Sequence, residues 1–177
     1  MRSTLDLLSQ YAAYHRDRRN IVTHFVGVPL IVFSVGVLLA RPSLDLGTLT
    51  LTPAWLAWAL ASIWYLTRGD LVVGAAVSAV NFVLIALAHP LAEGSVFGWL
   101  GWGFGLFLVG WLIQFVGHYY EGRKPAFVDD LSGLLVGPMF VVAEWLFALG
   151  VCRPMLAEIE RRVGPTILRD LAHPAWR

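Results

Sequence analysis

The sequence predicts an all-α, polytopic helical membrane protein with about four full transmembrane helices, a broken or re-entrant fifth segment and amphipathic terminal helices. Of its 177 residues, 58% are hydrophobic and only 14% are charged, whereas soluble domains carry roughly 25% charged residues. The uncharged residues gather in stretches of the length that crosses hydrocarbon, about 20 residues. Eight Trp and five Tyr suit a molecule with two lipid–water interfaces to anchor. No repeat, low-complexity segment or linker interrupts the chain, so 1–177 reads as one integral membrane domain. A net charge of +1 and the lack of basic runs interleaved with aromatics leave nucleic acid no footing. The single cysteine, Cys152, excludes an internal disulfide and a cysteine-rich zinc site. Residues 5–15 are polar-interrupted and the arginines follow them, which is not the pattern of a signal peptide.

Residues 1–19 read as an amphipathic helix, because Leu5, Leu8, Ala12 and His15 share one face at helical spacing. His15 lies about 20° from Leu8 on that wheel, so its imidazole faces the apolar side, where it needs a partner. Arg16, Asp17, Arg18 and Arg19 break the pattern, and Asn20 is placed to cap the next helix. Spans are expected at 21–40, 49–67, 71–89 and 96–120. Pro53 stands near the start of the second, where proline is tolerated. In the fourth, Gly101 and Gly105 form a small-xxx-small pair suited to close helix packing. The fifth apolar stretch, 131–151, holds Gly133, Gly137, Pro138 and Glu144 and is expected to fold back at Gly137–Pro138. Residues 153–177 form a charged cytoplasmic tail, helical along the membrane surface.

Lysine and arginine set the orientation. The N-terminal segment carries four, Arg41 and Arg68 stand alone in their loops, Arg123 and Lys124 share one loop, and the tail carries five. Four spans with a cytoplasmic N-terminus keep Arg68, Arg123 and Lys124 inside, and a re-entrant fifth segment keeps the tail inside as well. The expected location is therefore a bacterial inner membrane, with both termini cytoplasmic.

That parity places the start of the first span and the end of the fourth at one membrane face, which lets His15, His24 and His118 converge. Asn20 is the i−4 neighbour of His24. Gln114 at i−4 and Glu121 at i+3 share a face with His118, within an arc of about 60°. Imidazoles with a carboxylate suit iron, zinc or copper; at helix ends they serve equally as interfacial caps. Glu144 is an ionisable group inside an apolar stretch, either functional or fixing helix packing. His89 reads as a cap at the other face, His173 as a solvated tail residue, and Asp129 and Asp130 as caps of the fifth stretch. There is no phosphate loop, no HxxHH cluster of the membrane desaturases, and no hydrolase GxSxG.

Several blocks together resemble the Mpo-like membrane family along nearly the whole chain. They are Tyr14-His15, Asn20, His24 and Pro29; Gln114-Phe115-Val116-Gly117-His118, Glu121 and Pro125-Ala126; and Pro138, Phe140 and Glu144-Trp145-Leu146-Phe147. Glu121 follows His118 by three residues, one fewer than in the fungal pattern. The resemblance implies an Fe(II)-dependent dioxygenase that shortens 2-hydroxy fatty acids by one carbon in α-oxidation, with O2 and membrane lipid as its other partners. It implies His15, His24 and His118 as metal ligands, and Glu121 and Glu144 as further catalytic residues. Asn20 and Gln114 would stand behind the metal or the substrate. Arg123 or Lys124 would steer the carboxylate, unless both serve only as the positive-inside signal. Two other classes are weighed against this one: a metal-containing membrane scaffold without turnover, and a small transporter that uses Glu144.

Overall fold

The computed structural model describes residues 2–45, 47 and 50–171. Seven α-helices follow in order: α1 (Thr4–Ala12), α2 (Arg18–Ala40), α3 (Pro53–Leu66), α4 (Leu71–Ala92), α5 (Val96–Glu121), α6 (Gly133–Ala148) and α7 (Arg153–Val163). A two-stranded antiparallel hairpin, β1 (Leu44–Asp45) with β2 (Thr50–Leu51), interrupts the otherwise helical chain between α2 and α3. Each long helix starts on a side-chain cap that satisfies an otherwise orphaned amide: Asp17 for α2, Asp70 for α4 and Ser95 for α5. Asn20 therefore does not cap the first span. The helix starts three residues before the expected 21, and the Asn20 side chain is used elsewhere.

Three helices, α2, α4 and α5, are long and apolar enough to cross a membrane. The second expected span is shorter than 49–67. Thr52 caps α3 and Pro53 occupies its first turn, which leaves 14 residues, about 21 Å at 1.5 Å per residue. α5 packs directly on α2. A Cβ at Gly110 would come within 3.1 Å of the Gly27 carbonyl oxygen, and one at Gly103 within 2.3 Å of Leu38. A Cβ at Gly117 would lie 2.0 Å from Thr23 Oγ1. The seam thus uses Gly103, Gly110 and Gly117, not the expected Gly101 and Gly105, which have open space around them. The outer flanks of α3, α4 and α5 leave large apolar side chains exposed, among them Leu60, Leu87, Phe97, Leu108 and Leu112.

The fifth apolar stretch also differs from expectation. Its helix α6 runs unbroken through Gly137 and Pro138. The turn comes later, where Gly150 (φ 81°) and Cys152 (φ 55°) take left-handed backbone, and α7 leaves at 117° to α6. The start of α6 is tied to the start of α1 by Arg2, which pairs with Asp130 at 2.7 Å and donates to Ser132 Oγ. Its continuation α7 returns to the same helix through Arg162–Asp6 at 2.9 Å. Helices α1, α6 and α7 therefore form a layer at one end of the bundle. Leu7, Leu8, Val136, Met139, Phe140, Ala143 and Ile159 meet there in the main buried core. The N-terminal and C-terminal segments share that end. Ile167 N–H donates to the Arg16 carbonyl, and Arg18 N–H donates to the Ile167 carbonyl.

Candidate metal centre

The end of the bundle under α1 gathers three histidines. α1 stops at Ala12, and two tight turns close through Tyr14 N–H to Tyr11 O and His15 N–H to Ala12 O, which swing His15 inward. His24 sits in the second turn of α2. His118 comes one turn before α5 ends at left-handed Gly122, whose N–H closes on the His118 carbonyl. Relative exposures of 0%, 2% and 7% for His15, His24 and His118 leave none of the three rings to bulk solvent. One ligand nitrogen from each lies within 4.8 Å of the others. Tyr11 stacks on His15 at 4.1 Å and 6°, and Phe140 packs against both rings, so the cluster has a rigid aromatic roof.

The hydrogen bonds decide the tautomers. Nδ1 of His15 lies 2.7 Å from the Tyr11 carbonyl oxygen, and Nδ1 of His24 lies 2.8 Å from that of Asn20. A carbonyl only accepts, so both Nδ1 atoms carry the proton and both Nε2 atoms present lone pairs. Those two Nε2 atoms are 3.0 Å apart. Two lone pairs at that distance repel unless a cation or a shared proton lies between them. Burial first, then the neighbouring His24 and His118, hold His15 well below the usual histidine range, which disfavours the proton. His118 adds a buried Nδ1 with no hydrogen-bond partner. The arrangement fits a divalent transition metal on neutral nitrogen donors, those of His15 and His24 each held by the carbonyl behind the ring.

Glu121 is fully buried but is not part of the group of close ligand atoms that the three histidines form. Its Oε2 accepts from Asp17 N–H at 2.7 Å and from Asn20 Nδ2 at 3.2 Å, and its Oε1 lies 3.1 Å from an Arg169 guanidinium nitrogen. Asn20 also donates to the Tyr14 carbonyl. One carboxylate thus joins the end of α5, the start of α2 and the tail, and it orients the residue whose carbonyl holds His24. Gln114 lines a cavity of about 70 Å3 beside His24, His118 and Tyr11, with both its amide atoms buried and unpartnered.

Other expected site residues lie apart. Arg123 donates to the Ala13 carbonyl and Lys124 pairs with Asp129, and neither lines the cavity. Glu144 is half-buried on α6; Arg16 and Glu160 are the charges its carboxylate feels, and it makes no hydrogen bond among the described residues. His89 stands at the opposite end of the bundle, bonded to Thr52 Oγ1 at 3.1 Å and stacked on Trp55. Asp130 accepts from Ser132 N–H at the start of α6, whereas Asp129 takes Tyr14 and Lys124. His173 lies outside the described residues. Sequence reading missed Tyr11, Asp17 and Arg169. Tyr11 was visible in principle, four residues before His15 in the chain. Arg169 had no local signal, because 48 residues separate it from Glu121 in the chain.

Comparison with known proteins identifies relatives of the chain. A family described as "2-hydroxy-palmitic acid dioxygenase Mpo1-like" matches residues 1–149. The 2-hydroxy-palmitic acid dioxygenase MPO1 of Saccharomyces cerevisiae is 34% identical over 162 residues, covering 88% of this chain and 88% of the relative. No solved structure matches.

Proposed function

The chain belongs to the Mpo1-like family, and from that premise we propose that it oxidatively shortens long-chain 2-hydroxy fatty acids by one carbon, at an Fe(II) centre held by His15, His24 and His118 within a membrane. The observation that carries the reading is the pair of Nε2 lone pairs 3.0 Å apart in a buried, aromatic-roofed site. Fe(II) bound there would supply open positions for O2 and for the paired hydroxyl and carboxylate donors of a 2-hydroxy acid. The reaction balances with one O2 consumed and the carboxyl carbon leaving as CO2, with one water formed.

The chain's own residues prepare that site. Tyr11 O and Asn20 O keep the His15 and His24 Nδ1 protons in place, so Nε2 of each stays a donor to the metal. Glu121 spends its charge on Arg169 and two N–H groups. The inner ligand set thereby stays neutral, and an anionic substrate balances the cation. Beside His24 and His118 the cavity has apolar walls, including Ile31, Val32, Trp111 and Leu134, which keep bulk water from the head of the substrate. The exposed apolar flanks of α3, α4 and α5 support a lipid environment. Lys/Arg placement supports a cytoplasmic site.

The test is metal analysis of freshly purified protein, followed by assay with Fe(II), O2 and 2-hydroxypalmitate. The expected product is the acid one carbon shorter, formed with O2 uptake and stopped by chelation. His15→Ala, His24→Ala and His118→Ala should each lose both metal and activity. Equal turnover of palmitate, or product after rigorous iron removal, would overturn the reading. Bound iron without O2 consumption on any 2-hydroxy acid would make the protein a metal-containing scaffold instead.

A further inference from the structure

We propose that Gln114 is the specificity residue that reads the head of the 2-hydroxy acid, its Nε2 donating to the carboxylate and its Oε1 accepting from the 2-hydroxyl. This rests on the proposed function and extends it to a residue outside the metal ligands.

Gln114 is 3% exposed, yet neither Nε2 nor Oε1 has a hydrogen-bond partner. Its place on α5, one turn before His118, brings it to the wall of the cavity that His24 and His118 also line. Burying an amide without partners is costly, and among apolar helices no bulk water offsets that cost. The backbone makes deliberate room for this side chain. A Cβ at Gly27 would stand 2.6 Å from Gln114 Nε2 and 3.1 Å from its Cδ, so any other residue at Gly27 would push the amide out of its seat. A cavity of about 70 Å3 holds roughly two waters at ~30 Å3 each. It is a space for a small polar head.

The chemistry of the amide selects that head. A primary carboxamide offers one acceptor and an N–H donor side by side without charge. A 2-hydroxy carboxylate offers the complement, an anionic acceptor and a hydroxyl donor on adjacent carbons. An unsubstituted fatty acid satisfies Nε2 and leaves Oε1 bare, which is how a buried polar group rejects an analogue lacking its partner. A methionine at this position would fill a similar volume and offer the hydroxyl no acceptor.

The test is equilibrium dialysis of labelled acids against the full-length, Fe(II)-loaded protein in detergent under strict anaerobiosis, where binding is read without turnover. The wild type should bind 2-hydroxypalmitate more tightly than palmitate, by about 10- to 100-fold, the range of a hydrogen bond between buried polar groups. Gln114→Met should reduce that preference by about 10-fold, leaving only what the hydroxyl's own bond to iron supplies, while keeping its full iron content. Gln114→Asn keeps the amide but withdraws it by one methylene, so it should lose most of the preference as well, and it reports if the Met variant does not fold. A full preference in either folded variant would overturn the role of Gln114 and leave the proposed function standing. A wild type that binds neither acid, or both equally, would overturn the two together.

Discussion

The candidate centre depends on side chains that position other side chains. Glu121 is the clearest, since one buried carboxylate holds Asp17 N–H, Asn20 Nδ2 and the Arg169 guanidinium. Removing one partner of a buried ion pair leaves the other uncompensated, at roughly 3–5 kcal/mol. Glu121→Ala should therefore lower unfolding stability by about 3 kcal/mol and reduce metal content, because Asn20 loses its tether and its carbonyl holds His24. Denaturant unfolding in detergent, with iron measured on the same samples, checks both effects. Arg169→Ala should cost less, since its side chain is 26% exposed and water replaces part of the lost interaction. An Arg169→Ala loss as large as that of Glu121→Ala would show that the tail, and not the α2–α5 tether, holds the site.

Among the elements, the α2–α5 seam and the α6–α7 corner are the features most open to test. At Gly117 an added Cβ meets Thr23 Oγ1 at 2.0 Å and Asn20 Oδ1 at 2.5 Å, so Gly117→Ala must shift the turn of α2 that carries His24. It should lower the melting temperature and loosen metal binding. Gly105 faces open space, and Gly105→Ala should change neither quantity. Equal effects of the two substitutions in a thermal-shift and metal-retention series would mean that the seam is misplaced. At the corner, Cys152 takes φ 55°, a conformation that costs a residue with a side chain about 1–2 kcal/mol. Cys152→Gly should leave stability unchanged or raise it by about 1 kcal/mol, and a clear loss would mean that the thiol makes a contact of its own.

For the whole molecule, the shared end of the two terminal segments has a direct consequence. Residues 16–19 and 167–169 are joined by backbone hydrogen bonds, by Asp17 accepting from Arg169 N–H, and by Arg19 reaching the Arg169 carbonyl. Reporter fusions to the N- and C-termini should therefore report the same side of the membrane. Opposite sides would make α6 and α7 a full crossing. Truncation after residue 163 should remove the tail partners of Arg16, Asp17 and Glu121 together. The expected result is a lower unfolding midpoint and faster metal loss to a chelator, with the helix content of the bundle retained by circular dichroism. The family match ends at residue 149, so the tail residues 164–169 that make these contacts lie beyond it.

Much of this was legible in the sequence because it follows from local composition and from counting. Apolar length marks α2, α4 and α5, and the alternation of helices brings His15, His24 and His118 to one end whatever the details of packing. The remainder depended on which surfaces meet. α5 carries six glycines at overlapping spacings, and only the facing Gly27, Thr23 and Leu38 of α2 select Gly103, Gly110 and Gly117 over Gly101 and Gly105. Pro138 breaks helices by itself, yet α6 runs through it because α1, α2 and α4 pack around that helix. The fold-back then falls to Gly150 and Cys152, where the backbone takes positive φ. The role of Glu121 was hidden for a similar reason. A carboxylate three residues from a histidine reads as a ligand until the fold supplies Asp17, Asn20 and Arg169, and the latter two lie 101 residues before it and 48 after it. A window of one helix carries the hydrophobic length; partners that far apart in the chain meet only through the tertiary structure.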